Sequence, residues 1–206
     1  WNIGQPSDDN LDQAIDFAGQ LYSLYQKNDG NNIARASEAC LSANELVLQI
    51  EKRLLRLRRE SKHFQELSTF LERTFEPLWT KVKDESISLW PLESRDNILP
   101  KEKQTLSSSD FGFHNCLKGK DGSLSFLDFD YFGWDDPVKM TADFIWHPAM
   151  EINSDLGTDW KTAMLGLFSA DSVFSSRLDA AIPFYGLRWA MIVLNEFLPG
   201  YAERRK

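Results

Sequence analysis

Ser107-Ser108-Ser109-Asp110-Phe111-Gly112-Phe113-His114-Asn115, followed a few residues later by Leu127-Asp128-Phe129-Asp130, is the stretch on which the reading of this chain turns. Between the two segments, Cys116-Leu117-Lys118 and Ser123-Leu124-Ser125-Phe126-Leu127 read as short strands around the turn Gly119-Lys120-Asp121-Gly122. A ribbon of this kind returns the chain to where it began. Asp110, Asn115 and Asp128 are therefore predicted to meet at one mouth of the hairpin although they are distant in sequence.

The surroundings of this stretch are helical. After the turn-like Gln5-Pro6-Ser7-Asp8-Asp9, apolar residues recur at Leu11, Ala14, Ile15, Ala18, Leu21, Tyr22 and Tyr25, the spacing of one helix face. The Asp and Asn residues at its start offer capping oxygens, and Asn28-Asp29-Gly30-Asn31 is expected to stop it. A second run, Ile33, Ala36, Cys40, Ala43, Val47, Ile50, Leu54 and Leu57, predicts one long helix with a seam for a neighbour. An intramolecular helix hairpin fills that seam on the simplest reading, and a homodimeric coiled coil is the alternative. The basic cluster Lys52, Arg53, Arg56, Arg58 and Arg59 reads as the solvated face of that helix. A third helix runs through Phe64, Leu67, Leu71, Phe75 and Leu78, with Pro77 set to kink it or to begin a new segment. Residues 90–100 look loop-like, and after Pro137 three or four helical segments end near Leu198. The fold class expected is mostly α with one small β-hairpin, in a single domain over 1–206. Its parts are a helical segment over 1–85, the hairpin region over 106–147 and C-terminal helices over 148–206.

Composition narrows the function. In 206 residues, 42% apolar and 13% aromatic side chains supply a core, which rules against a disordered chain. The formal net charge of −8 argues against broad contact with a nucleic-acid backbone. No apolar run approaches the roughly 18 residues that span a bilayer, so no membrane partner is expected. Cys40 and Cys116 form no CxxC pair, and two cysteines in this length fit reduced thiols in the cytoplasm.

The chemistry follows from the oxygens gathered at the hairpin. Phosphoryl transfer needs a carboxylate that orients the attacking hydroxyl and takes its proton, and further oxygens that hold Mg²⁺ against nucleotide phosphates. Catalytic loops of kinases put four residues between the base Asp and a metal-binding Asn, as Asp110 and Asn115 do here. Together with Asp128-Phe129-Asp130-Tyr131, Gly133-Trp134-Asp135-Asp136-Pro137 and Asp143, the stretch resembles the aminoglycoside phosphotransferase and choline kinase family. The resemblance covers about residues 106–147. It implies the helical C-terminal lobe of a protein-kinase-like α+β fold, with ATP and Mg²⁺ as cofactors and a small hydroxyl compound, such as an aminoglycoside, sugar or amino alcohol, as acceptor. Asp110 then corresponds to the catalytic base, Asn115 and Asp128 to the metal ligands, Asp130 to a second-metal or structural acid, and Asp143 to a buried brace of the catalytic loop.

Two departures accompany the resemblance. Family members carry His two residues before the base, where this chain has Ser108, so the brace falls to His114 or to the Ser108 hydroxyl. Neither a G-x-G-x-x-G nor a Walker A pattern occurs, and the expectation is that a nucleotide lobe stands upstream of Trp1.

Other residues admit two readings. Trp134, Asp135 and Asp136 could line a pocket for a cationic amine or a sugar, or Asp135 or Asp136 could cap the helix beginning near Pro137. His114 has no partner at ligand-like spacing in His63 or His147 and reads as a loop brace. His147-Pro148 ends a helix, and Trp146, Trp160 and Trp189 read as core. Two rival functions stay open: a kinase-like protein that binds without turnover, and a helical interaction module built on the Ile33–Leu57 seam.

Overall fold

The computed structural model describes residues 2–26 and 32–201. Helices dominate, joined by two small antiparallel sheets, so the mostly helical expectation with a hairpin holds. Residues 28–31, expected to stop the first helix, lie outside the described residues.

Helix α1 (Asp8–Gln26) buries the stripe Leu11, Ala14, Ala18 and Leu21. Helix α2 (Ala43–Glu60) starts later than its apolar seam suggests. Ser42, in extended conformation, accepts from the Glu45 amide at 3.2 Å and caps it. The upstream residues instead lie along Trp134, with Arg35 in a parallel bridge and the Ala36 amide donating to the Trp134 carbonyl. Within α2, Ala43, Leu46, Val47, Ile50, Leu54 and Leu57 are buried, and their main partner is the last long helix rather than an adjacent one. The seam is thus filled inside the chain, which removes the apolar surface that a coiled-coil dimer would use.

Helix α3 (Gln65–Phe70) passes through a π-helical turn (Leu71–Phe75) into α4 (Glu76–Leu89). Pro77, in the first turn of α4, has no amide to donate back and its ring crowds the preceding turn. The wider turn just before it accommodates both effects. One further turn of helix, α5 (Leu92–Arg95), interrupts the expected loop.

Helices α6 (Pro137–Trp146), α7 (Ser154–Leu167) and α8 (Phe174–Val193) complete the bundle. Helix α8 is its axis, packing on α2, α4 and α6. Trp160, Phe144, Phe184 and Ile50 are fully buried around it. The expectation that three tryptophans are core holds for Trp160 alone. Trp146 is exposed, with Nε1 donating to the Ile182 carbonyl, and Trp189 is partly buried.

The sheets set the site. Strand β1 (Asn2–Ile3) adds to the predicted hairpin of β3 (Cys116–Lys118) and β4 (Leu124–Phe126), in which Cys116 faces Phe126 and Lys118 faces Leu124. Gly122 supplies the left-handed turn residue at φ 86°. A second ribbon, absent from the sequence reading, pairs β2 (Thr105–Ser107) with β5 (Gly133–Asp135). Among the described residues, no helix is long and apolar enough to cross a membrane.

Candidate active site

The segment from Ser107 to Asn115 is buried except at Asp110, His114 and Asn115, which are half-buried. Phe111 packs against Phe126, Phe144 and Trp160, and Phe113 meets Phe144 edge-on. Gly112 sits between them because a side chain there would strike the Met150 sulfur. These anchors leave Asp110 half-exposed at the rim.

The backbone just before Asp110 is unusual. Ser109 lies in the left-handed region at φ 69°, which disfavours a residue with a side chain by about 1 kcal/mol or more. Three contacts hold it there. Its amide donates to Ser107 Oγ at 3.0 Å, and Lys139 Nζ donates to its carbonyl at 3.0 Å and its Oγ at 3.1 Å. Lys139 is buried and also pairs with Asp143 Oδ2 at 2.8 Å. Burial works against the Lys139 ammonium, but Asp143 and Asp135 hold its pKa above the ordinary lysine value. Asp143 in turn accepts from Trp189 Nε1 at 2.7 Å and from Arg188 at 3.3 Å. Asp143 reaches the loop through Lys139, an intermediary absent from the sequence reading.

Asp110 Oδ1 is 3.0 Å from His114 Nε2 and 3.4 Å from His147 Nε2. The two imidazoles stack face to face, with centroids 3.7 Å apart and planes within 7°. Burial pushes the Asp110 carboxyl up, yet the His114 hydrogen bond, the two imidazoles and Asn115 outweigh it and hold its pKa below the usual aspartate value. Burial and the adjacent His114 push His147 down to about 4. His114 was expected to be isolated; the structure corrects this, because α6 ends where it delivers His147 onto the His114 ring. Ser108 is buried, and the group that braces the Asp110 carboxylate is His114.

Asn115 donates from Nδ2 to the Asp110 carbonyl at 2.9 Å, which fixes its amide and leaves Oδ1 as an acceptor. The Leu127 amide donates to the Asn115 carbonyl at 2.8 Å, so the returning strand reaches Asp128 one residue past its contact with Asn115. Asp128 too is left-handed, at φ 60°, and its carboxylate and that of Asp130 are exposed. Asp110 and Asn115 are brought into contact; for Asp128 the return of the backbone is what the structure shows.

Asn115 Oδ1 and the exposed Asp128 and Asp130 carboxylates are oxygen donors, the type that Mg²⁺ prefers. Asp110, His114 and His147 have donor atoms within 4.8 Å of one another. Their parallel rings, however, cannot both aim an in-plane lone pair at one ion without a rotation of one ring. By donor type, the oxygens suit Mg²⁺ better.

The expectation that Trp134, Asp135 and Asp136 line an acceptor pocket is corrected, since all three are buried. Trp134 packs on Leu21 and Leu106, with Lys101 Nζ 3.4 Å from its ring centroid. Asp136 caps α6 by accepting from the Val138 amide, and Arg177 clamps it with two hydrogen bonds of 3.0 and 3.1 Å. Asp135 is pushed up to about 7 by burial, against the pull of Lys139. The cavity beside Asp110 is formed elsewhere. It holds about 320 Å³ and is bordered by Glu38, Arg53, Tyr131, Asp143, Arg188 and Trp189 among others.

No family model matches this chain, and no curated protein is similar to it. The site itself therefore carries the functional argument.

Proposed function

We propose that this chain carries the acceptor-side half of an ATP-dependent phosphotransferase acting on a hydroxyl of a small molecule. The observation behind the reading is the placement of Asp110. Ser109, left-handed and tied down by a buried lysine, precedes an Asp110 that borders the 320 Å³ cavity, beside the Asn115 amide and a returning acidic loop.

In this reading the acceptor enters the cavity with a hydroxyl against the Asp110 oxygen that faces away from the imidazoles. Asp110, kept ionised by its neighbours, orients that hydroxyl and takes its proton as the acceptor oxygen bonds to the γ-phosphorus of ATP and the bond from that phosphorus to the departing ADP breaks. His114 fixes the carboxylate rotamer, and Asn115 fixes the backbone of the base. Asn115, Asp128 and Asp130 would hold Mg²⁺, which neutralises phosphate charge when bound.

The test is transfer of labelled phosphate from ATP to a panel of hydroxyl compounds by the full-length protein. Transfer that requires Mg²⁺ and is lost in Asp110→Ala supports the reading. Transfer unchanged in Asp110→Ala sinks it, and Mg²⁺-dependent ATP binding without any transfer assigns the non-catalytic alternative.

A further inference from the structure

The cavity beside Asp110 has a charge pattern that selects among acceptors. Three carboxylates on its wall, Glu38, Asp110 and Asp143, face three cations, Arg53, Lys139 and Arg188. The formal charges cancel, so the wall offers no net negative field to a polycation. Lys139 and Arg188 are committed to Asp143. Arg53 and Arg188 then share a single oxygen, Glu38 Oε2, at 3.0 and 3.3 Å.

Arg53 is the under-compensated member of this set. Its only ion-pair partner among the described residues is Glu38, whose side chain is 45% exposed. Its Nε is buried with no hydrogen-bond partner, and a buried guanidinium N–H without an acceptor is costly. Burial, with Arg188 close by, holds the Arg53 pKa below the ordinary arginine value, the mark of a cation short of negative charge. The volume, about 320 Å³, is at the small end for ligand sites and suits one ring rather than several.

Resting on the phosphotransferase reading, we infer that the acceptor is a single-ring or similarly small polyhydroxy compound bearing one anionic group, held by Arg53 while a hydroxyl lies on Asp110. A multi-ring polycation fits neither the volume nor the charge of the wall. Arg53 thereby sets specificity, and its place on the solvated face expected for α2 is corrected to the border of the cavity.

The experiment needs no nucleotide. Binding of glucuronate, glucose and glucosamine, which share a ring and differ in charge, is measured by titration calorimetry on the full-length protein and on Arg53→Gln and Arg53→Lys. In the wild type glucuronate is expected to bind about tenfold more tightly than either of the others, with Arg53→Lys keeping that order and Arg53→Gln losing it. Should Arg53→Gln fail to fold by circular dichroism, the wild-type order and Arg53→Lys decide. Glucosamine binding most tightly, equal binding of all three, no binding at millimolar concentration, or an unchanged preference in Arg53→Gln overturns the inference. The two readings fail separately. A charge preference without phosphate transfer removes only the phosphotransferase, and transfer to a cationic acceptor removes only the role of Arg53.

Discussion

The imidazole of His147 lies flat on that of His114, 3.7 Å between ring centres, and both present Nε2 to the same oxygen of Asp110. One histidine comes from the turn that follows the candidate base and the other from the end of α6. The contact therefore ties the base loop to the helical bundle.

This contact makes stability depend on pH. His147 is held at about 4, below its ordinary 6.5, so the unfolded chain takes up a proton that the folded chain refuses between those values. Its contribution is complete above pH 6.5 and is lost as pH falls toward 4. The melting temperature is expected to drop across that window, and His147→Asn is expected to flatten the drop. An equal drop in the variant would show that other groups are responsible. Asp110, also held low, adds a further loss below its ordinary value of 3.8.

Removing the base is expected to separate activity from folding. Asp110→Asn keeps the volume and a hydrogen bond to His114, so the far-ultraviolet circular dichroism is expected to be unchanged. Phosphate transfer is expected to fall by about 10²- to 10⁴-fold, measured as turnover at saturating ATP.

Asp143 joins Lys139, Arg188 and Trp189 in the interior. Asp143→Ala leaves Lys139 to the more distant Asp135, at 3.7 Å, and Arg188 to the half-exposed Glu38, and a loss of about 3–5 kcal/mol is expected in urea unfolding. Activity measured well below the melting temperature is also expected to fall, because Lys139 then loses the partner that aims it at Ser109.

Ile50 is fully buried in the seam of α2. Ile50→Ala is expected to cost about 2–5 kcal/mol in chemical unfolding. Light scattering is expected to give the same mass for variant and wild type, since the seam serves α8 of the same chain. A change of mass would restore the coiled-coil reading.

What the sequence revealed and what it hid divide along physical lines. The hairpin was legible because turn residues and strand pattern act locally, and so was the pairing of Asp110 with Asn115. The start of α2 was legible too, in Ser42 with Glu45 three residues on, but the longer apolar spacing from Ile33 obscured it. Asp135 and Asp136 were open to two readings, pocket acid or helix cap, and Asp136 is the cap. Their burial depends on Lys139 and Arg177, which reach them only in the packed bundle. His147 was missed for a related reason, although a signal existed. Lys139, Asp143 and His147 recur every fourth residue along α6 and its C-terminal cap, and that stripe underlies the Ser109–His114 loop. Arg53 looked solvated as one of five neighbouring cations, and no local pattern marks which of them turns inward.

The shared oxygen of Glu38 has a consequence for how such a protein could change its substrate. Arg53 comes from α2, whereas the groups around Asp110 come from α6 and the loop before the hairpin; Arg188 links the two sets. On the function proposed here, exchanges at positions 38 and 53 would retune which molecules are admitted while the surroundings of Asp110 stay as they are. Recognition and reactivity are in this sense separately evolvable.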